Sequence, residues 1–299
     1  MASEIVLTKI DKYTNMFINE KKVLNSSKNT ISTYLYILNS FYEYILEIDT
    51  LESINNLDKE VVLNFLTYSD NHSNSTQILK LAVLKSFFTF IDEHEQLKGF
   101  LEHRFKKLTI KKEQKEVEAL SEEEVTRLLD VLKYKTKSFN KIRDALLIKI
   151  ILFTGIRASE CLSIKLEDIS VIEEGSVYKI KISGKGSKER YVYITLQRIQ
   201  NELEYLIELG YIQNYIAITN RGNLLTRVGL YNMISNKMKK ALIKKRGVHI
   251  LRHTFARDLV KKNINLSTIS ELLGHADITL TAKTYARSDE ESKIRAVCN

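Results

Sequence analysis

The sequence predicts a mainly α-helical protein of two domains with a small antiparallel β-sheet in the second. Three observations carry that prediction: a helical period of apolar residues through the first hundred positions, a lysine-rich stretch that loses it, and one run of strict alternation around a glycine turn. At 299 residues the chain is long enough for two domains that each bury a core.

Taken in order, "TISTYLYILNSFYEYILEI" sets Tyr34, Ile37, Leu38, Phe41, Ile45 and Leu46 at helical spacing, and "STQILKLAVLKSFFTFIDEH" repeats it with Ile78, Leu81, Leu84, Phe87, Phe88 and Ile91. Because these stripes keep the 3.6 period, they read as the core of a helical bundle rather than as platforms for stacking bases. Residues 1–107 form this first domain. In "KKLTIKKEQKEVE" the apolar period is lost and lysines accumulate, so 108–118 reads as an exposed basic linker and 119–299 as the second domain. "LSEEEVTRLLDVL" restarts helix, with Ser121 and Glu124 in capping-box spacing, and the apolar "DALLIKIILFTGI" follows. "GSVYKIKISGKGSKERYVYIT" then alternates Val177, Lys179 and Lys181 against Tyr178, Ile180 and Ile182 around Gly-Lys-Gly-Ser, the pattern of a hairpin. "NYIAIT" offers a further short strand before the "NRGN" turn, and helix returns from Thr226 onward.

Composition narrows the function classes. No apolar run approaches the roughly 18–20 residues of a membrane span, so no membrane partner is expected. "MASEIVLTKIDKYTNMF" lacks the basic start, apolar stretch and small-residue site of a secretory signal, and the expected compartment is the cytoplasm. Cys161 and Cys298 show no CxxC spacing, which argues against zinc and redox sites and for a reduced, disulfide-free chain. The net charge of +9 is uneven: residues 1–110 carry 12 Lys and Arg against 14 Asp and Glu, leaving +11 on the remainder. A basic half suits a polyanion such as nucleic acid, although lysines on solvated helix faces give the same count. Charge alone leaves both readings open.

Four stretches place basic side chains where they can converge on an anion. In "FTGIRASE", Gly155 interrupts an apolar helix and Arg157 enters the next, where free N–H groups and a positive helix end meet a guanidinium; a surface cap or a salt bridge to Glu160 is the plainer alternative. In "SGKGSKER", glycines flank Lys185 at a hairpin tip, an arrangement that lets one ammonium reach a leaving oxygen and that ordinary hairpins also use. In "HILRHTFARDL", His249 and Arg252 stand at i and i+3 on one helix face, able to reach one phosphate or simply to be solvated. In "LLGHADITLTAKTYARS", Gly274 ends a helix, His275 lies just beyond it, and Tyr285 follows. Two arginines, a hairpin lysine, two histidines and a late tyrosine thus gather in the basic domain.

Through "TGIRASE", "GKGSKER", "HILRHTFA" and "LLGHADITLTAKTY", in that order, the chain resembles the tyrosine recombinases, or phage integrase family. The motifs cover about residues 120–288; the amino-terminal half resembles the family in layout only. The resemblance implies a two-domain clamp, a helical core-binding domain plus an α+β catalytic domain, that holds DNA. It implies Tyr285 as the nucleophile on a DNA phosphodiester, giving a 3′-phosphotyrosyl link and a free 5′-hydroxyl. Arg157 and Arg252 would grip the nonbridging oxygens, Lys185 would protonate the 5′-oxygen, and His249 and His275 would act as hydrogen-bonding or acid/base partners. A DNA-facing helix is implied near residues 226–236, and the DNA contacts expected are Arg227, Lys188, Arg190 and Lys240.

The chemistry suits these roles. A tyrosine hydroxyl has a pKa of about 10, so ionising it at pH 7 costs about 4 kcal/mol unless cations or a histidine assist. Negative charge gathers on the equatorial oxygens of a five-coordinate phosphorus, and planar guanidinium groups meet it with paired donors. No acidic cluster of metal-ligand spacing accompanies these residues, so the expectation is no metal and no cofactor. Two departures from the family pattern stand out: Tyr285 falls one residue later after "LLGH" than in many Xer-type members, and "RGV" precedes His249 where a Ser-Pro pair is common.

The expected activity is therefore site-specific strand cleavage and rejoining for integration, excision or resolution, on double-stranded DNA with paired half-sites. The expected assembly is a homotetramer on two duplexes, or a heterotetramer with a related recombinase. A noncatalytic DNA-binding protein of the same fold and a type IB topoisomerase-like enzyme are the alternatives. Six candidate active-site residues weigh against the first, and the recombinase-type spacing with a short tail after Tyr285 weighs against the second. With no arm-binding domain ahead of the helical one, a Xer-like or transposon-resolving enzyme is favoured over a lambda-like integrase.

Overall fold

A computed structural model of the chain describes residues 4–48, 51–68, 73–95, 100–113, 118–134, 138–172, 176–184, 189–208, 210, 214–275 and 277–285. They fold as two compact units, divided between residues 115 and 116.

The first unit is helical: α1 (Glu4–Val23), α2 (Lys28–Leu46), α3 (Lys59–Thr67), α4 (Asn74–His94) and α5 (Phe100–Lys106). Short polar side chains set several of the starts. Ser27, Asp58 and Ser73 accept the N–H groups of Thr30, Val61 and Thr76 at 3.1, 2.9 and 3.3 Å. Buried Asp92, on α4, takes the N–H groups of Leu101 and Glu102 at 3.0 and 2.6 Å, so an anion from one helix satisfies the positive end of α5. The predicted stripes meet in the core: Ile37, Leu38, Phe41 and Ile45 pack with Leu81, Leu84, Phe87, Phe88 and Ile91, and Phe41 stands edge-on to Phe65 at 5.1 Å. Leu46 departs from its stripe and is exposed at the end of α2. The lysine-rich stretch is tied down where it begins. Leu108 is buried in this core, and the Asn74 side chain donates to the Lys111 carbonyl (3.0 Å) and accepts from the Glu113 N–H (3.2 Å).

In the second unit, α6 (Glu122–Leu132) opens on the predicted Ser121–Glu124 capping box. The apolar α7 (Phe139–Thr154) is buried on nearly every face because α9 (Leu196–Glu208), α11 (Val248–Lys261) and the sheet pack around it. The sheet has strand order β1 (Ile169–Ile172), β2 (Val177–Ser183), β3 (Glu189–Thr195), all antiparallel. Its alternation puts Tyr178, Ile180 and Ile182 into the core with Val192 and Ile194. Two strand expectations change. β1 adds a third strand beside the hairpin, whereas "NYIAIT" makes only isolated bridges, Lys165 to Tyr215 and Ile218 to Leu224. Its buried Ile216 and Ala217 satisfy burial without a ladder partner, and a turn closed by Thr219 and Asn223 follows at once. The remaining helices are α8 (Ala158–Ser163), α10 (Arg227–Lys240), α12 (Leu266–Leu273) and α13 (Ile278–Tyr285).

Candidate active site

Two glycine turns build the site. Gly155 caps α7 with φ 66° and Gly274 caps α12 with φ 64°, each a left-handed residue that stops its helix and leaves carbonyls without intrahelical donors. Arginines fill that need. Arg252 on α11, 5 % exposed, donates Nη1 to the Gly155 carbonyl (2.7 Å) and Nη2 to that of Leu273 (2.8 Å). Arg157, the extended residue before α8, donates Nη2 to the Gly274 carbonyl (2.8 Å). Arg190 on β3 donates Nε to the Leu272 carbonyl (3.1 Å). Three successive carbonyls at the negative end of α12 thus hold three different guanidinium groups.

One carboxylate joins them. Glu160, 4 % exposed, accepts from the Arg157 N–H (2.7 Å) and Nη1 (2.9 Å) and from Arg190 Nη1 (2.9 Å) and Nη2 (2.8 Å). Burial alone would raise its pKa; the Arg190 guanidinium and the Arg157 backbone and side chain outweigh that and hold it at about 2. Three guanidinium groups against one carboxylate leave a net positive pocket. Arg157 is its open member, with its side chain 39 % exposed.

The histidines stand within this field. His249, exposed on the first turn of α11, is held below its ordinary value by desolvation and then by Arg252, Arg227 and Arg157. His275 is pushed down to about 4 by desolvation and then by Arg252, Arg157 and Arg190, so its ring is neutral at pH 7. Its Nδ1 pairs with the hydroxyl of Thr281 at 2.7 Å, and Thr281 is fully buried on α13. That bond ties the turn after α12 to the helix whose last residue is Tyr285.

Of the residues expected at the site, the structure brings Arg157, His249, Arg252 and His275 together. Of Tyr285 it describes the helical backbone position, while Lys185 and Lys188 lie outside the described residues. Arg227 and Lys240 are exposed at the two ends of α10. Arg190 differs from its expected part as a DNA contact: it is turned inward, its side chain 15 % exposed, and engaged by Glu160 and Leu272. The "RGV" departure also has a local result, since α11 starts from Gly247 at φ 102° without a side-chain cap. Sequence reasoning had no role for Glu160 beyond a possible salt bridge. Its spacing three residues after Arg157, the capping-box interval, was the available signal.

Comparison with known proteins gives the family. The model for the phage integrase family matches residues 118–292, and that for the phage integrase N-terminal SAM-like domain matches 10–94. The tyrosine recombinase XerH of Campylobacter jejuni is 32 % identical over 91 % of this chain and 78 % of its own. The tyrosine recombinase XerC of Staphylococcus aureus is 30 % identical over 93 % of both. Among solved structures, a XerH site-specific recombinase bound to palindromic difH substrate in a post-cleavage complex superposes with TM-score 0.76 at 30 % identity, covering 93 % of this chain and 81 % of that one. The carbonyl-anchored arginines and their neutral histidine therefore sit in a chain that belongs to the phage integrase family, as a Xer-like, tyrosine-type site-specific DNA recombinase.

Proposed function

We propose that the chain cleaves and rejoins DNA through Tyr285. The phenolic oxygen attacks the scissile phosphorus, the bond to the 5′-oxygen breaks, and a 3′-phosphotyrosyl link and a 5′-hydroxyl result. Arg157 and Arg252 bind the nonbridging oxygens, His275 and His249 hydrogen-bond the reacting group or accept the tyrosine proton, and Lys185 protonates the departing 5′-oxygen. The observation that carries this reading is the anchored cationic pocket: with donors fixed on helix-end carbonyls, little reorganisation accompanies the growth of charge on the phosphorane. A neutral His275 at pH 7 is in the form that takes up a proton. The link conserves the phosphodiester energy, so another strand's 5′-hydroxyl reverses the step without a nucleotide cofactor.

The substrate in this reading is double-stranded DNA with paired half-sites, held by four protomers on two duplexes, either all alike or shared with a related recombinase. The working compartment is the cytoplasm, where such DNA lies. Arg227 and Lys240, at opposite ends of α10, contact the duplex beside the cleaved phosphate. A noncatalytic DNA binder and a type IB topoisomerase-like enzyme are not favoured by the recombinase relatives.

The test mixes purified protein with nicked duplexes and looks for a detergent-resistant covalent adduct. Wild type is expected to form it and Tyr285→Phe to form none; an adduct that persists in the variant removes Tyr285 as the nucleophile.

A further inference from the structure

Arg190 makes no use of its charge at the surface. Both its terminal nitrogens go to Glu160 as a bidentate pair, at 2.9 and 2.8 Å, and its Nε goes to the Leu272 carbonyl at 3.1 Å. It thereby ties β3 to the start of α8 and the end of α12. Gly274 makes room for it: a Cβ at 274 would stand 2.8 Å from the Arg190 Cζ and 2.9 Å from its Nε.

The consequence falls on Arg157. A carboxylate offers two oxygens in a fork that fits one guanidinium edge, and the closed, bidentate pairing is the preferred one. With Arg190 occupying both oxygens of Glu160, the Arg157 backbone N–H takes Oε2 but its guanidinium shares only Oε1, through Nη1, and its Nη2 goes instead to the Gly274 carbonyl. Without Arg190, Glu160 would be a buried anion with one cation left, and it would take Arg157 as its own bidentate partner. That pairing would compete with phosphate for the guanidinium edge.

We propose that Arg190 is a positioning residue for strand cleavage: by saturating Glu160 it keeps Arg157 open toward a nonbridging phosphate oxygen. The inference rests on the reading that Arg157 binds that oxygen.

The substrate for the test comes from a pool of nicked duplexes of randomised sequence, from which the covalent adducts of wild-type protein are isolated and sequenced. The selected duplex is then made with sulfur replacing each nonbridging oxygen in turn at the scissile phosphate. Sulfur accepts hydrogen bonds poorly, so the diastereomer read by Arg157 is cleaved more slowly than the oxygen substrate, and Arg157→Lys identifies it by losing that difference.

Arg190→Lys keeps the charge and loses the bidentate fork. It is expected to bind the duplex within about twofold of wild type and to cleave it about 10- to 100-fold more slowly. Its sulfur effect should shrink to that of Arg157→Lys. Glu160→Gln, nearly isosteric and uncharged, takes away the competing anion and is expected to keep the sulfur effect, alone or combined with Arg190→Lys. It is the second test if Arg190→Lys does not fold, and loss of the sulfur effect in Glu160→Gln overturns the proposal. Wild-type cleavage by Arg190→Lys overturns the proposal, as does a slow rate with the sulfur effect intact. So does a loss of binding matching the loss of cleavage, which would make Arg190 a DNA contact. Failure of wild-type protein to capture any duplex would instead remove the reading on which the proposal rests.

Discussion

Arg252 has a structural duty whose energy can be separated from its proposed catalytic one. Its terminal nitrogens satisfy the Gly155 and Leu273 carbonyls, at 2.7 and 2.8 Å, in a position 5 % exposed. Deleting the side chain leaves buried acceptors unpaired, each worth about 1–3 kcal/mol. Arg252→Ala is therefore expected to cost roughly 2–4 kcal/mol of stability, read by denaturant unfolding, in addition to any catalytic loss. Arg252→Lys keeps the charge and one donor at a time; it should recover much of the stability, yet give at least about tenfold slower adduct formation because an ammonium lacks the planar fork. Equal recovery of stability and cleavage in the lysine variant would mean that the fork has no part in the chemistry. His275 is held in a similar way, its Nδ1 paired with the buried Thr281 hydroxyl, so that the histidine proposed to bear on the phosphate is oriented from α13.

At the scale of elements, the site depends on two helices stopping where they do. Gly155 has φ 66°, and a Cβ there would fall 2.4 Å from the Cδ1 of Phe255 on α11. Gly222 has φ 79° with nothing within 4 Å of an added Cβ. Gly222→Ala should cost about 1 kcal/mol, the left-handed strain alone, and Gly155→Ala about 2–4 kcal/mol, since overpacking adds to it. Comparable unfolding free energies for the two variants would mean that the Phe255 contact relaxes freely. These turns were legible in the sequence because a glycine ending an apolar period is a local signal, and the Ser121–Glu124 box and the alternation of Tyr178, Ile180 and Ile182 are local as well. β1 and the bridges at Tyr215 and Ile218 were not, since a short apolar run becomes a strand only if a free edge lies beside it. The same limit hid Arg190. "SKER" looks like a basic hairpin bound for DNA, and only the fold brings Glu160, thirty residues earlier, against it. Family motifs supplied the cationic residues of the pocket, but the carboxylate and carbonyls that orient them had to be seen.

For the whole molecule, the governing quantity is positive charge and its response to pH. The chain carries +9 overall, with +11 on residues 111–299. His253 and His275 are each pushed down to about 4 from an ordinary 6.5, first by desolvation and then by neighbouring cations. The sign follows: above 6.5 both are neutral in the folded and unfolded chain, and below it the unfolded chain takes up protons that the folded one refuses. Stability present above 6.5 is thus lost as pH falls toward 4, while Glu160, held at about 2, keeps its charge through that window. On the proposed reading, bound DNA would reverse the effect at the pocket: a phosphodiester among Arg157, Arg252 and His275 would bring a negative charge that raises the histidine's pKa, so binding would take up a proton. Between pH 7 and 5, at constant ionic strength, the melting temperature of the free protein is expected to fall while its affinity for duplex rises, by at most tenfold per pH unit for each proton taken up. His275→Gln should flatten both trends, more visibly in affinity, and calorimetry in buffers of different ionisation heat should record the missing proton. Affinity that falls in step with melting temperature, or rises as steeply in His275→Gln as in wild type, would mean that the phosphate does not lie at this histidine.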